Sequence, residues 1–129
     1  MTFVKGNMKY FIILTISTFI PKRFAAVVFG PIIFVRRAYR DNVPLIEHEK
    51  VHVRQFWRTF CTHFLWYQFN DEYRLKAEVE GYATQIKHRE LLGLPQDYDR
   101  YTNYICTLYG LNVTHERVRD MLVKARSKL

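Results

Sequence analysis

Leu45-Ile46-Glu47-His48-Glu49-Lys50-Val51-His52-Val53-Arg54-Gln55 is the stretch around which the chain must be read. It contains H-E-x-x-H, as His48-Glu49-Lys50-Val51-His52. On a helix, residues four apart share a face, so His48 and His52 can offer two imidazole nitrogens to one ion. Glu49 sits one step round, within reach of a water on that ion. Two histidines and a glutamate base at this spacing point to zinc-assisted hydrolysis. The helix that carries them has a start signal: Asn42 is a candidate N-cap and Pro44 suits a first turn. It is expected to run from about Pro44 into the aromatic stretch Phe60 to Phe69. Leu45, His48, His52, Gln55 and Thr59 form its metal-facing side, and Val53, Phe56, Trp57 and Phe60 its apolar packing.

Upstream, Phe24-Ala25-Ala26-Val27-Val28-Phe29 and Ile32-Ile33-Phe34-Val35-Arg36 flank Gly30-Pro31, which reads as two strands joined by a turn. Arg37 to Asn42 reads as a loop. Tyr10 to Ile20 is an apolar run too short to span a bilayer, which needs about twenty residues. Its β-branched content favours a buried strand. A membrane-associated segment is the alternative, and no small-x-small cleavage site follows to make it a signal peptide. Downstream, Asn70-Asp71 breaks the chain. One helix is expected from about Glu72 to Leu92, stopped by Gly93 and Pro95, another from about Asp97 to Tyr109, and a last one opened by Thr114.

At 129 residues the chain is expected to form one domain, residues 1–129. The fold class is α+β: a small N-terminal sheet of two or three strands on a bundle of about four helices. The net charge of +8 implies attraction to an anionic partner, a nucleic acid or a lipid surface. No recognisable nucleic-acid motif accompanies that charge. Cys61 and Cys106 form no C-x-x-C pair and are expected to be buried free thiols in a reducing cytoplasm. The expected location is therefore cytoplasmic, with the N-terminal apolar run as the candidate membrane contact.

Catalytic zinc takes three protein ligands and a water. The extended pattern H-E-x-x-H-x-x-G-x-x-H fails, because Gln55 and Arg58 stand where Gly and His are needed. On a continuous helix His63 would lie about 16 Å beyond His52 and could not share the ion. The next helix offers Glu78 and Glu80, which point about 200° apart. Glu78 borders the stripe formed by Leu75, Val79, Tyr82 and Ile86, and the small Gly81 and Ala83 allow close packing. Glu78 is preferred as third ligand. Glu80 is the alternative, and solvated helix charges beside Arg74, Lys76 and Lys87 are the plainer reading of both.

With these residues in place, the sequence resembles the gluzincin group of zinc metallopeptidases. In that group H-E-x-x-H is joined by a Glu from the following helix. Arg74-Leu75-Lys76-Ala77-Glu78-Val79-Glu80-Gly81-Tyr82 is similar to the R-x-x-E-x-x-A-D segment of some members. Residues 24 to 86 as a whole look like small zinc-peptidase-like proteins of bacteria and their phages. The resemblance implies a minimal zincin-like fold, Zn2+ on His48, His52 and Glu78, and Glu49 as general base. It departs from the pattern at Gly81-Tyr82, where Ala-Asp is usual and the Asp orients a ligand histidine. Tyr82, Glu80, Asp71 or Gln55 is expected to take that role.

The expected function is hydrolysis of an amide bond in a peptide or protein substrate. Tyr82, Tyr73, Tyr98 and His88 are the candidates for stabilising the oxyanion, and Phe29 to Val35 for pairing with substrate. The alternative is a non-catalytic zinc-binding basic protein that acts as an assembly module or binds nucleic acid or a membrane surface.

Overall fold

The computed structural model describes residues 2–4, 11–16 and 20–129. Four strands, β1 (Thr2–Val4), β2 (Phe11–Ile16), β3 (Ala26–Phe29) and β4 (Ile32–Arg36), form one sheet in the order β1-β2-β4-β3. Five α-helices follow: α1 (Val43–Arg58), α2 (His63–Phe69), α3 (Asp71–Leu91), α4 (Tyr98–Leu108) and α5 (His115–Ser127). The fold is α+β. It has one strand more than the expected two or three, and one helix more than the expected four.

The apolar run after Tyr10 supplies β2, which pairs parallel to β4 with Leu14 opposite Phe34. β3 and β4 form the expected hairpin, with Val28 opposite Ile33 and Gly30 at φ 60° in the turn. β4 is thus paired on both sides and β3 is left at the edge. Ile33 and Val35 are fully buried, and Ile33 packs on Val53 of α1 together with Ile13, Val28 and Trp57. None of the described helices is long and apolar enough to cross a membrane. Residues 10 and 17–19 of the apolar run lie outside the described residues.

α1 begins where its cap signals place it. The Asn42 side chain accepts a hydrogen bond from the Leu45 amide at 3.2 Å, satisfying one of the orphan donors of the first turn. The helix does not continue into the aromatic stretch. Phe60 and Cys61 adopt left-handed backbone, at φ 51° and 69°. The Thr59 and Thr62 hydroxyls donate to the carbonyls of Gln55 (2.9 Å) and Thr59 (2.6 Å), which also accept from the Thr59 and Thr62 amides, and so close off the end of α1. The chain reverses there. Phe60 and Cys61 are therefore exposed rather than packed inside, and α2 folds back beside α3. Asn70 then caps α3 by accepting from the Tyr73 amide at 2.9 Å. Arg74 donates to the Tyr67 carbonyl at 2.7 Å and ties α2 down.

α3 is the central beam. From Leu75 to Ile86 it is buried on nearly every side. One side carries Leu75, Val79, Tyr82 and Ile86 into the main core with Tyr101, Ile105, Val118 and Leu122 of α4 and α5. The other side meets α1. Thr114 caps α5 as its sequence suggests, accepting from Arg117 at 3.2 Å. Ion pairs from α5, Arg126 to Glu90 and Arg117 to Glu72, hold it along α3.

Candidate metal centre

The α1–α3 contact brings three buried side chains together. His48, His52 and Glu78 have ligating atoms all within 4.8 Å of one another. His48 Nε2 and His52 Nε2 are 3.1 Å apart. Glu78 Oε2 lies 3.5 Å from His48 Nε2, and Oε1 lies 3.4 Å from His52 Nε2.

The opposite ring nitrogens are each held by a glutamine. His52 Nδ1 meets Gln55 Oε1 at 2.8 Å, and His48 Nδ1 meets Gln85 Oε1 at 2.9 Å. The orientation of Gln55 is forced by its other end. Its Nε2 donates to the Ala77 carbonyl at 3.2 Å and to Glu80 Oε2 at 3.0 Å, and both of these groups only accept. Gln55 Oε1 must then accept, so His52 Nδ1 carries the proton and its Nε2 presents a lone pair. Gln85 takes the matching place at His48, its Nε2 3.3 Å from the Tyr101 hydroxyl, and in the same tautomer His48 Nε2 also presents a lone pair. Two imidazole lone pairs and a carboxylate thus converge on one point inside the protein. Such an arrangement needs a cation at that point, a proton or a metal ion. Among the described residues Glu78 Oε2 also has no hydrogen-bond partner, which is costly for a buried carboxylate oxygen. Two imidazoles and a carboxylate form the donor set of a catalytic zinc site, and these residues fit that ion.

Gly81 makes the close approach possible. A Cβ there would lie 2.8 Å from His48 Nε2 and 2.9 Å from Cδ2. A glycine inside a helix costs about 0.5–1 kcal/mol relative to alanine, and here the vacated space holds the His48 ring. Tyr82 packs edge-on against the same ring, with centroids 4.3 Å apart.

Electrostatics follow from burial among opposite charges. Burial alone would lower the pKa of His52, but the charge and hydrogen bond of Glu78 outweigh it and push the imidazole up to about 9. Burial would raise Glu78, and His52 and His48 together hold it well below the usual carboxylate range. Glu49 is raised, chiefly by burial, against the opposing pull of His48 and His52. It is a buried carboxylate beside the two histidines with a heightened affinity for protons.

The site opens into a cleft of about 920 Å³. Its walls are β3, the exposed turn and α2, and the segment Thr107–Gly110. The helix break returns His63 and Tyr67 to this cleft, where an unbroken helix would have carried them away. The rings of His63 and His52 are 6.1 Å apart, but His63 Nδ1 is engaged by the Tyr73 hydroxyl at 2.7 Å. Burial and the charge of His52 lower the pKa of His63 to about 4. The Tyr67 hydroxyl donates to Glu78 Oε1, and burial raises the pKa of this phenol.

The other sequence candidates fall elsewhere. The Tyr82 hydroxyl is 2.7 Å from that of Tyr109. Tyr73 serves His63. His88 faces Glu47 at 3.7 Å, and Tyr98 lies under Arg119. Glu80 points away from the histidines, to Gln55 and to Arg58 at 3.1 Å. In the segment Phe29 to Val35, β4 has both edges occupied; among the described residues β3 has one unpaired edge, and its residues line the cleft. Tyr67 and Gln85 escaped the sequence reading. Tyr67 depends on the chain reversal at Phe60-Cys61. Gln85 sits one turn past Gly81, a spacing that a search for residues facing His48 could have used. No family model, curated protein or solved structure matches this chain.

Proposed function

We propose that this chain is a zinc-dependent hydrolase that cleaves an amide bond in a peptide, with a gluzincin-like site. The observation that carries the reading is the convergence of two Nε2 atoms, 3.1 Å apart, on Glu78, whose Oε2 has no hydrogen-bond partner among the described residues. His48, His52 and Glu78 would hold the metal. Bound there, zinc supplies Lewis acidity, polarising a carbonyl and bringing the pKa of water toward about 7.

The chain's own residues then divide the remaining work. Glu49 takes a proton from the attacking water and hands it to the leaving amine. Its raised pKa suits both directions of transfer. Gln55 and Gln85 fix the tautomers of the two histidines, and the contact from Glu80 and Arg58 holds Gln55 in place. Tyr67 lines the cleft from α2 as a neutral phenol whose single proton goes to Glu78 Oε1; turned from Glu78 toward substrate, it would donate to a developing oxyanion. Among the described residues β3 has one unpaired edge, along which an extended peptide can add.

Zinc-loaded protein incubated with a mixed peptide pool, read by mass spectrometry, tests this. New termini are expected for the wild type and none for Glu49→Gln, which keeps its zinc. Equal cleavage by both proteins would refute the assignment.

A second reading is a zinc-carrying binding module without turnover. It is favoured by the exposure of Phe60, Leu65, Trp66 and Phe69 on and beside α2, a larger apolar display than a surface helix needs. In that case Glu49→Gln leaves the biological role intact.

A further inference from the structure

The two ends of the cleft differ in chemistry. α1 lines the cleft from His48 to Phe56, and β3 lines it from Ala26 to Phe29. Beyond His48 the cleft is lined by Tyr109 and Phe24, whose rings lie 5.9 Å apart. Arg23 stands over Phe24, its guanidinium carbon 4.9 Å from the ring centroid. Arg23 is exposed, lines the cleft and has no carboxylate partner among the described residues. The other arginines of the cleft wall and sheet end are engaged: Arg74 with Asp71 at 2.6 Å, and Arg36 with the Phe24 carbonyl at 2.9 Å.

The His52 end leads through Tyr67 and His63 to Phe64, and from there to Phe29. The Phe29 and Phe64 rings meet edge to face at 6.4 Å, while 68% of Phe29 and 58% of Phe64 stay exposed. Phe56 lines the cleft beside Gly30, its ring 3.6 Å from where a Gly30 Cβ would be. Three phenylalanines at one mouth of a cleft, two of them mostly in water, form a receptor for an apolar side chain.

From these two ends we infer the substrate class. It is an extended peptide with a large apolar side chain at the Phe29–Phe56–Phe64 end and a carboxylate at the Arg23 end, the bond to be cut lying between them. The inference rests on the proposed hydrolase reading. The carboxylate can belong to an acidic side chain or to the peptide's own C-terminus. Arg23 is suited to either, because its planar guanidinium pairs with a carboxylate through two parallel hydrogen bonds.

The test uses full-length Glu49→Gln protein loaded with zinc and fluorescein-labelled twelve-residue Ala/Ser peptides, read by anisotropy. The peptides carry Phe and Glu four residues apart, in both orders. Each has counterparts with Gln for Glu and Ala for Phe, as free acids and as C-terminal amides. Replacing Glu by Gln, or the free acid by the amide, should weaken binding about tenfold, which identifies the source of the carboxylate. Replacing Phe by Ala should weaken it by a similar factor. Arg23→Glu should abolish the Glu preference and leave the Phe preference. Phe64→Ala should do the reverse. Both positions are exposed, so the variants fold. Equal binding of all peptides, binding by none up to millimolar concentration, or an Arg23→Glu protein that still prefers Glu would overturn the inference. The hydrolase reading is scored separately, by zinc content and by cleavage of the unbiased peptide pool.

Discussion

Gly81→Ala puts the packing of the metal centre to a quantitative test. In an ordinary exposed helix this change stabilises by up to about 1 kcal/mol. Here the new Cβ would lie 2.8 Å from His48 Nε2, 2.9 Å from Cδ2 and 3.1 Å from Cε1. Ordinary contact begins near 3.4 Å, so the ring must retreat by about half an ångström. It has little room to do so. Gln85 holds Nδ1 at 2.9 Å and Tyr82 lies against the ring edge at 4.3 Å. Overpacking of this kind costs about 1–3 kcal/mol. The net expectation is a loss of about 1–2 kcal/mol, together with a drop in zinc affinity of about tenfold or more. Chemical denaturation of the metal-free protein and competition with a chromophoric zinc chelator measure the two effects. The double variant supplies the control. In a His48→Ala background the ring is gone, so Gly81→Ala should stabilise instead, by about 0.5–1 kcal/mol. A Gly81→Ala protein that is more stable than wild type and binds zinc equally well would refute the reasoning.

Three further outcomes are expected. Gln85→Leu removes the acceptor of His48 Nδ1 and should lower zinc affinity about 10–100-fold in the chelator competition, with the helical circular dichroism unchanged. Tyr67→Phe should keep stoichiometric zinc and slow cleavage of the best pool peptide, by about a hundredfold if the phenol stabilises an oxyanion; unchanged turnover would remove Tyr67 from the chemistry. The metal-free protein should be most stable between pH 4.5 and 6.5 in thermal melts. His52 is raised from 6.5 to about 9, so its contribution is complete below 6.5 and is lost as pH rises through 9, and the contribution of the raised Glu49 starts to be lost earlier, as pH rises above 4.5. His63 is lowered to about 4 and Glu78 is also lowered, so their contributions fade as pH falls below 6.5 and 4.5 respectively. Bound zinc replaces the proton between the imidazoles and should remove the alkaline loss.

Local signals in the sequence located much of this arrangement. The i, i+4 spacing of His48 and His52 survives in any helix, and Asn42 and Pro44 start that helix whatever packs on it. Glu78 rather than Glu80 borders the stripe of Leu75 and Tyr82, and burial of that stripe turns it toward α1. Gln55, one turn past His52, was a candidate for supporting it and accepts from its Nδ1. What the sequence hid is nonlocal. Phe60 to Phe69 contains no Gly or Pro, so nothing marks the left-handed residues Phe60 and Cys61 that reverse the chain. That reversal decides where His63, Phe64 and Tyr67 go. Likewise β2 joins β4 in parallel across the intervening hairpin, a pairing set by the burial of Ile33 and Val35 rather than by any turn between neighbours.

Zinc content tests the central claim most directly. Purified protein, dialysed against excess zinc and then metal-free buffer, is measured by elemental mass spectrometry alongside His48→Ala, Glu78→Ala and Glu80→Ala. The account predicts one zinc per chain for the wild type and for Glu80→Ala, and less than a tenth of that for the other two. A wild-type protein without zinc, or a Glu78→Ala protein that retains it, would contradict the account.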